Sequence, residues 1–386
     1  MKRAELVWPL YSELIKNRNE YAKELGYENY MEYAYSYVYD RDYTVADIRE
    51  LSEHIFDYVS PLMVSSMLVQ GDASLDSIEY KADTKEIFGT IRENLTKLDP
   101  ELSDSIDYLL ENELYTAGDE ENRTAGAYMA DISAMRSGMI YAKRSNNGHD
   151  YETLTHEFGH FNNAYRIQAP ALANVQHMDI LEIHSQGLEM LGSTTLNNVF
   201  PEKTGDFTAG IAFNMTQNIT SAIMVACFEI DCFENPDMTY EEASMKFTEE
   251  MYKCMTGSIP ENAVPMGVWA TVHHLFVCPQ YYVSYAISAL SALDVYAQYL
   301  EDPEEGIKKY NALANIDPHM SYSEAMKETG LRDMTKSENI RDVCDELNQH
   351  FTEEFNQVVN QIVDEGIEAL GNLFSDLFAP ANSPQQ

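Results

Sequence analysis

The chain has 386 residues, 45% of them apolar and 11% aromatic, enough to fill the core of one large domain or two ordinary ones. Its 64 acidic and 25 basic side chains give a net charge of -39, so nucleic acid and anionic membrane surfaces should repel it. Five cysteines, odd in number and without a C-x-x-C pair, argue against a disulfide frame or a thiolate metal site and for buried free thiols.

The N-terminus, MKRAELVWPLYSELIKN, begins with two basic residues but lacks an uninterrupted apolar stretch, which reads as a cytoplasmic chain rather than a secreted one. The longest apolar run, AIMVACF at 222–228, is far shorter than the roughly 18 residues a membrane span needs. Helical periodicity with few Gly or Pro interruptions predicts helices over 5–24, 46–70, 84–96, 101–113, 150–166, 179–194, 207–231, 239–256, 281–302, 321–328 and 337–376. The exception is 126–148, where short apolar runs end in a Ser-Asn-Asn-Gly turn signal and predict a small β-hairpin or edge sheet. Near the C-terminus, Val359, Ile362, Val363, Ile367, Leu370, Leu373, Phe374 and Leu377 fall on one helical face, expected to pack on the chain's own core. The expected organisation is a mainly α body over 1–355, that amphipathic helix over 356–378, and a disordered tail over 379–386.

The chemistry concentrates after the predicted hairpin, in YETLTHEFGHFNNAY at 151–165. On a helix, His156 and His160 stand one turn apart on one face, about 5 to 6 Å between Cβ atoms, so both imidazoles can meet one ion. Glu157 falls beside that ion, where it can take a proton from a metal-activated water. Gly159 allows another element to approach closely.

A catalytic tetrahedral metal needs a third protein ligand. HMDILEIHSQGLEML at 177–191 offers one, after the helix-breaking proline of IQAPALAN. Asp179, Glu182 and Glu189 share one face while His184 points elsewhere. The residues alone leave all three carboxylates open: one ligates, and a neighbour can hold an imidazole by its other nitrogen. A third stretch, WATVHHLFVCPQYYVSYAISAL at 269–290, supplies histidine and tyrosine donors for a tetrahedral oxyanion.

Together these stretches resemble the thimet oligopeptidase and oligoendopeptidase F family of zinc metallopeptidases, most of all its oligoendopeptidase F branch. TLTHEFGH followed by DILEIHSQGLEML is similar to the family's H-E-x-G-H and downstream E-I-H-S helix. The resemblance implies a mainly α, zincin-type catalytic domain with a small β-sheet edge before the motif helix, binding Zn2+ through His156, His160 and Glu182. HHLFVCPQYYVSYA is similar to the segment whose histidine and tyrosines meet substrate and oxyanion, which implies that role for His274, Tyr282 and Tyr285, with Tyr281 and His273 as neighbours.

Two departures matter. Family members usually carry a further N-terminal region forming one wall of the substrate channel, so a more open cleft, or a second copy or partner chain completing the channel, is expected here. The family's N-F-x-G-T-like run is replaced by KRSNNGHD at 143–150, placing Lys143 and Arg144 near the expected cleft. The leading expectation is a zinc endopeptidase acting on oligopeptides, with Glu157 as general base. Its alternatives are a non-hydrolytic zinc-containing peptide-binding or scaffold protein, and a metallo-carboxypeptidase if Lys143 or Arg144 reaches a terminal carboxylate.

Overall fold

The computed structural model describes residues 2–132, 134, 137–168 and 177–378, with side chains described to 363. The predicted helices are present, among them Lys2–Glu24, Val45–Gln70, Thr84–Leu98, His149–Ile167, Met178–Ser193, Phe207–Glu234, Tyr240–Thr256, Tyr282–Glu301 and Ser337–Phe378. Capping boxes start several of them: Thr44 with Asp47, Asp83 with Glu86, Thr239 with Glu242, and Ser321 with Glu324. Each satisfies two backbone donors that a helix start otherwise leaves unpaired.

Phe207–Glu234 is the core helix. Twenty-two of its 28 residues are buried, with Val45–Gln70, Tyr240–Thr256 and Tyr282–Glu301 packed around it. Among the described residues it alone is long and apolar enough to cross a membrane, and most of it is buried inside the fold. Phe228 on this helix packs on Trp269, ring centroids 5.9 Å apart, and Trp269 in turn meets Trp8 and Tyr11 of the N-terminal helix, each at 5.6 Å. This aromatic knot seats the first helix. From the same helix Arg18 donates to the Phe276 carbonyl at 2.8 Å, bracing the His274 segment from behind.

The β element is a three-stranded sheet in the order β1-β3-β2. Strands β2 (Ala127–Ile132) and β3 (Ser137–Lys143) form the expected antiparallel pair. The strand β1 (Tyr115–Gly118), which pairs parallel to β3, is an addition to the sequence expectation. Four half-buried residues carry too little periodicity to stand out. The helix Pro303–Ala314 is a second addition; Asp302 caps it and Pro303 occupies its first turn, a start signal legible in the sequence.

The last helix runs unbroken from Ser337 to Phe378. It packs along Val45–Gln70 through residues such as Val343, Leu347 and Phe351. From 356 to 363 every residue is exposed, Val359, Ile362 and Val363 included. The expected packing on the body therefore does not occur over this part, and Ile367, Leu370, Leu373, Phe374 and Leu377 lie outside the described side chains. The tail expected at 379–386 and the proline of IQAPALAN lie outside the described residues. All five cysteines are free, and all but Cys278 are buried.

Candidate active site

The motif helix His149–Ile167 and the ligand helix Met178–Ser193 cross at Gly159. A Cβ there would lie 2.5 Å from the His184 carbonyl oxygen and 2.7 Å from the Ser185 Cα, so only glycine permits this approach. The crossing brings Glu182 to the two motif histidines. Its Oε2 is 3.6 Å from His156 Nε2 and 3.4 Å from His160 Nε2, and the three donor atoms lie within 4.8 Å of one another. Ligands about 2.0 to 2.2 Å from a tetrahedral ion stand about 3.3 to 3.6 Å apart, so this donor set fits one divalent cation.

The carboxylates that the sequence left open now separate. Glu182 joins the two histidines, and Ser185 Oγ donates to the same Oε2 at 3.2 Å. Glu189 lies behind them, its Oε2 3.0 Å from His156 Nδ1, where it fixes the ring with Nε2 toward the cation position. Asp179 belongs to neither role. It is buried against Arg41, Tyr43 and Ser284.

The electrostatics follow from the packing. Burial works against charge on His156, but hydrogen bonds with Glu182 and Glu189 outweigh it and hold the imidazole well above its ordinary range. Burial pushes the Glu182 carboxyl up, yet hydrogen bonds from both histidines hold it well below the carboxylate range. His184, buried beside His160, is pushed down to about 3 and stays neutral. Replacing Glu189 by Gln removes the charged partner of His156 and is expected to weaken metal affinity about 10- to 100-fold. Competitive chelator titration reads this directly, and unchanged affinity would discount the Glu189 contact.

Glu157 is only 5% exposed, and its Oε2 has no hydrogen-bond partner among the described residues. Burial raises its pKa, while the neighbouring His156 and His160 pull it back. It faces a cavity of about 850 Å3 that also exposes His156, His160 and Glu182. One wall is β2, through Ala127, Tyr128, Met129 and Asp131; another is the tyrosine helix, through Tyr281, Tyr282 and Tyr285.

The tyrosines form one cluster. Tyr281 and Tyr285 meet edge to face at 4.9 Å, and Tyr282 and Tyr285 at 5.5 Å. Burial raises the pKa of all three phenols, that of Tyr285 to about 12, so they are protonated donors. Tyr281, which the sequence ranked as a neighbour, directs its hydroxyl to Glu182 Oε1 at 3.4 Å. His274 stacks on the Tyr281 ring at 5.3 Å and is not among the residues that line the cavity. Burial lowers its pKa. Lys143 and Arg144 are also placed away from it. Lys143 donates to the Arg123 carbonyl at 3.1 Å, and Arg144 pairs with buried Asp150 at 3.0 Å, securing the start of the motif helix.

No protein-family model matches the sequence, and no curated protein matches it at a significant level. Solved structures do share its fold. PZ peptidase A, solved with an inhibitor, superposes with a TM-score of 0.75 at 18% identity, over 89% of this chain and 65% of its own. A candidate oligoendopeptidase F from Bacillus anthracis str. Ames gives 0.71 at 19% identity, over 91% of this chain and 64% of its own. Metallocarboxypeptidase 1 from Trypanosoma cruzi gives 0.57 at 14% identity, over 90% and 78%. The chain shares the mainly helical fold of these peptidase structures. The superposition is better on the PZ peptidase and oligoendopeptidase F structures than on the carboxypeptidase, and the chain spans less than two thirds of the length of the first two.

Proposed function

We propose that this chain is a zinc-dependent oligopeptidase that hydrolyses internal peptide bonds. The observation that carries the reading is the joint placement of His156, His160 and Glu182 as one donor set beside buried Glu157, all opening on one cavity. Two imidazoles and one carboxylate are a catalytic zinc set that leaves a position open. Zinc bound there supplies Lewis-acid polarisation of the scissile carbonyl and of water.

The chain's own residues do the rest. Glu157, its pKa raised by burial, accepts a proton from water and returns it to the leaving amine. Phenol groups of Tyr282 and Tyr285, with Tyr281 beside them, donate to the oxyanion. His274 acts on this set by stacking against Tyr281. A scaffold without turnover has no use for a buried base, which favours the enzyme over that alternative. Among the described residues no Lys or Arg lines the cavity, which disfavours capture of a terminal carboxylate and hence the carboxypeptidase alternative.

Metal analysis coupled to a length-graded peptide digest, read by mass spectrometry, tests this. One zinc per chain with internal fragments is expected. Zinc without any cleavage supports the scaffold, and release of single C-terminal residues supports the carboxypeptidase. The longest peptide cleaved also reports how open the cleft is, and light scattering reports whether a second copy or partner chain closes it. Peptides differing only in charge give a further expectation. With a net charge of -39, kcat/KM for a lysine-bearing peptide should exceed that of its glutamate counterpart at least about tenfold at low salt. The gap should narrow as salt rises; a salt-independent preference for the acidic peptide would contradict it.

A further inference from the structure

Directly before the tyrosines, Gln280 adopts φ +68, a left-handed conformation that residues with a Cβ seldom take. Glycine is the ordinary solution at such a turn. Here the side chain is retained and completely buried, and each of its polar groups is used. The backbone N–H donates to Glu229 Oε2 at 2.8 Å, and Nε2 donates to the Ala226 carbonyl at 3.2 Å and to Glu229 Oε2 at 3.3 Å. Tyr35 donates to Oε1 at 3.1 Å, and Arg41 Nη2 to the carbonyl oxygen at 3.0 Å. Tyr39 holds the preceding Pro279 carbonyl at 2.9 Å. A strained residue persists where its surroundings over-determine it, and two separate segments, 35–41 and 226–229, do so here.

The same anchor reaches the metal ligands. Arg41 that bonds Gln280 also grips Asp179, three residues before Glu182 on the ligand helix. Ser284, between Tyr282 and Tyr285, donates to Asp179 Oδ1 at 2.6 Å. Glu229, pushed up to about 8 by burial, is cheaper to keep inside as the neutral acid.

We propose that Gln280 is a positioning residue, keyed by Glu229, Tyr35 and Arg41, that holds the Tyr281, Tyr282 and Tyr285 hydroxyls at a fixed offset from Glu182. The inference rests on the oligopeptidase reading for its catalytic consequence. Gln280→Gly isolates the role, because glycine takes the left-handed turn without strain while every side-chain bond is lost. In the full chain, kcat should fall about 10- to 100-fold with KM and metal content little changed, while the melting temperature drops because buried Glu229 and Tyr35 lose a partner. In the metal-free chain, amides of residues 280–285 should exchange hydrogen about tenfold faster than wild type. Glu229→Gln, neutral and nearly the same shape, should behave as wild type, whereas Glu229→Ala should resemble Gln280→Gly. Wild-type kcat and exchange in Gln280→Gly, or a kcat loss that tracks metal loss, would overturn the proposal. Should that variant fail to fold, Tyr35→Phe removes one bond of the set, and unchanged exchange at 280–285 would overturn it equally. If the wild-type chain cleaves no peptide, the oligopeptidase reading falls, and the exchange measurement still decides the positioning role.

Discussion

Replacing Glu157 with Gln is expected to lower kcat on a cleavable peptide by about 10^2- to 10^4-fold while leaving bound metal in place. The separation follows from geometry. The proposed ligand atoms belong to His156, His160 and Glu182, so an amide at 157 removes no donor from that set. What it removes is the proton acceptor. Burial lifts the Glu157 carboxyl above its ordinary value and the two histidines pull it partly back, the direction that favours a general base. Stopped-time assays beside metal analysis check both halves. Turnover at the wild-type rate in a metal-replete variant would remove Glu157 from the chemistry.

The largest expected stability effect lies at Arg41. Its side chain is completely buried against Asp179, itself 3% exposed, and its guanidinium is ringed by Tyr35, Tyr39 and Tyr43 at 4.4 to 5.5 Å from their ring centres. Arg41→Met leaves the Asp179 carboxylate inside with only the Tyr43 and Ser284 hydroxyls. Stranding one partner of a buried pair costs about 3 to 5 kcal/mol. Adding Asp179→Leu should recover much of that loss, because replacing both charges by apolar groups is often neutral or better. Urea denaturation measures the cycle. A single-variant cost below about 1 kcal/mol would mean that water reaches the pair.

These two residues mark the two sides of what the sequence made readable. His156, Glu157 and His160 are related by one helical turn, and helical geometry alone sets their meeting. The third ligand was different, since Asp179, Glu182 and Glu189 share a face and differ only in what arrives from elsewhere. Arg41, 138 residues earlier, claims Asp179, and His156 Nδ1 claims Glu189. Such pairings are long-range, and no local pattern encodes them. The same limit explains Gln280, whose neighbours give no hint of a left-handed backbone. It also explains the C-terminal stripe: periodicity fixes which face is apolar, while only the tertiary fold decides whether anything covers Val359 and Ile362.

The strand β2 bounds the sheet, pairing with β3 along one side and turning residues 127–129 and 131 toward the cavity. A strand margin can pair only with backbone that is already extended. Helices and closed turns have spent their amide groups on themselves and have none to offer. If the chain is the proposed oligopeptidase, such a margin would favour a sequence in a loose peptide over the same sequence in a folded protein.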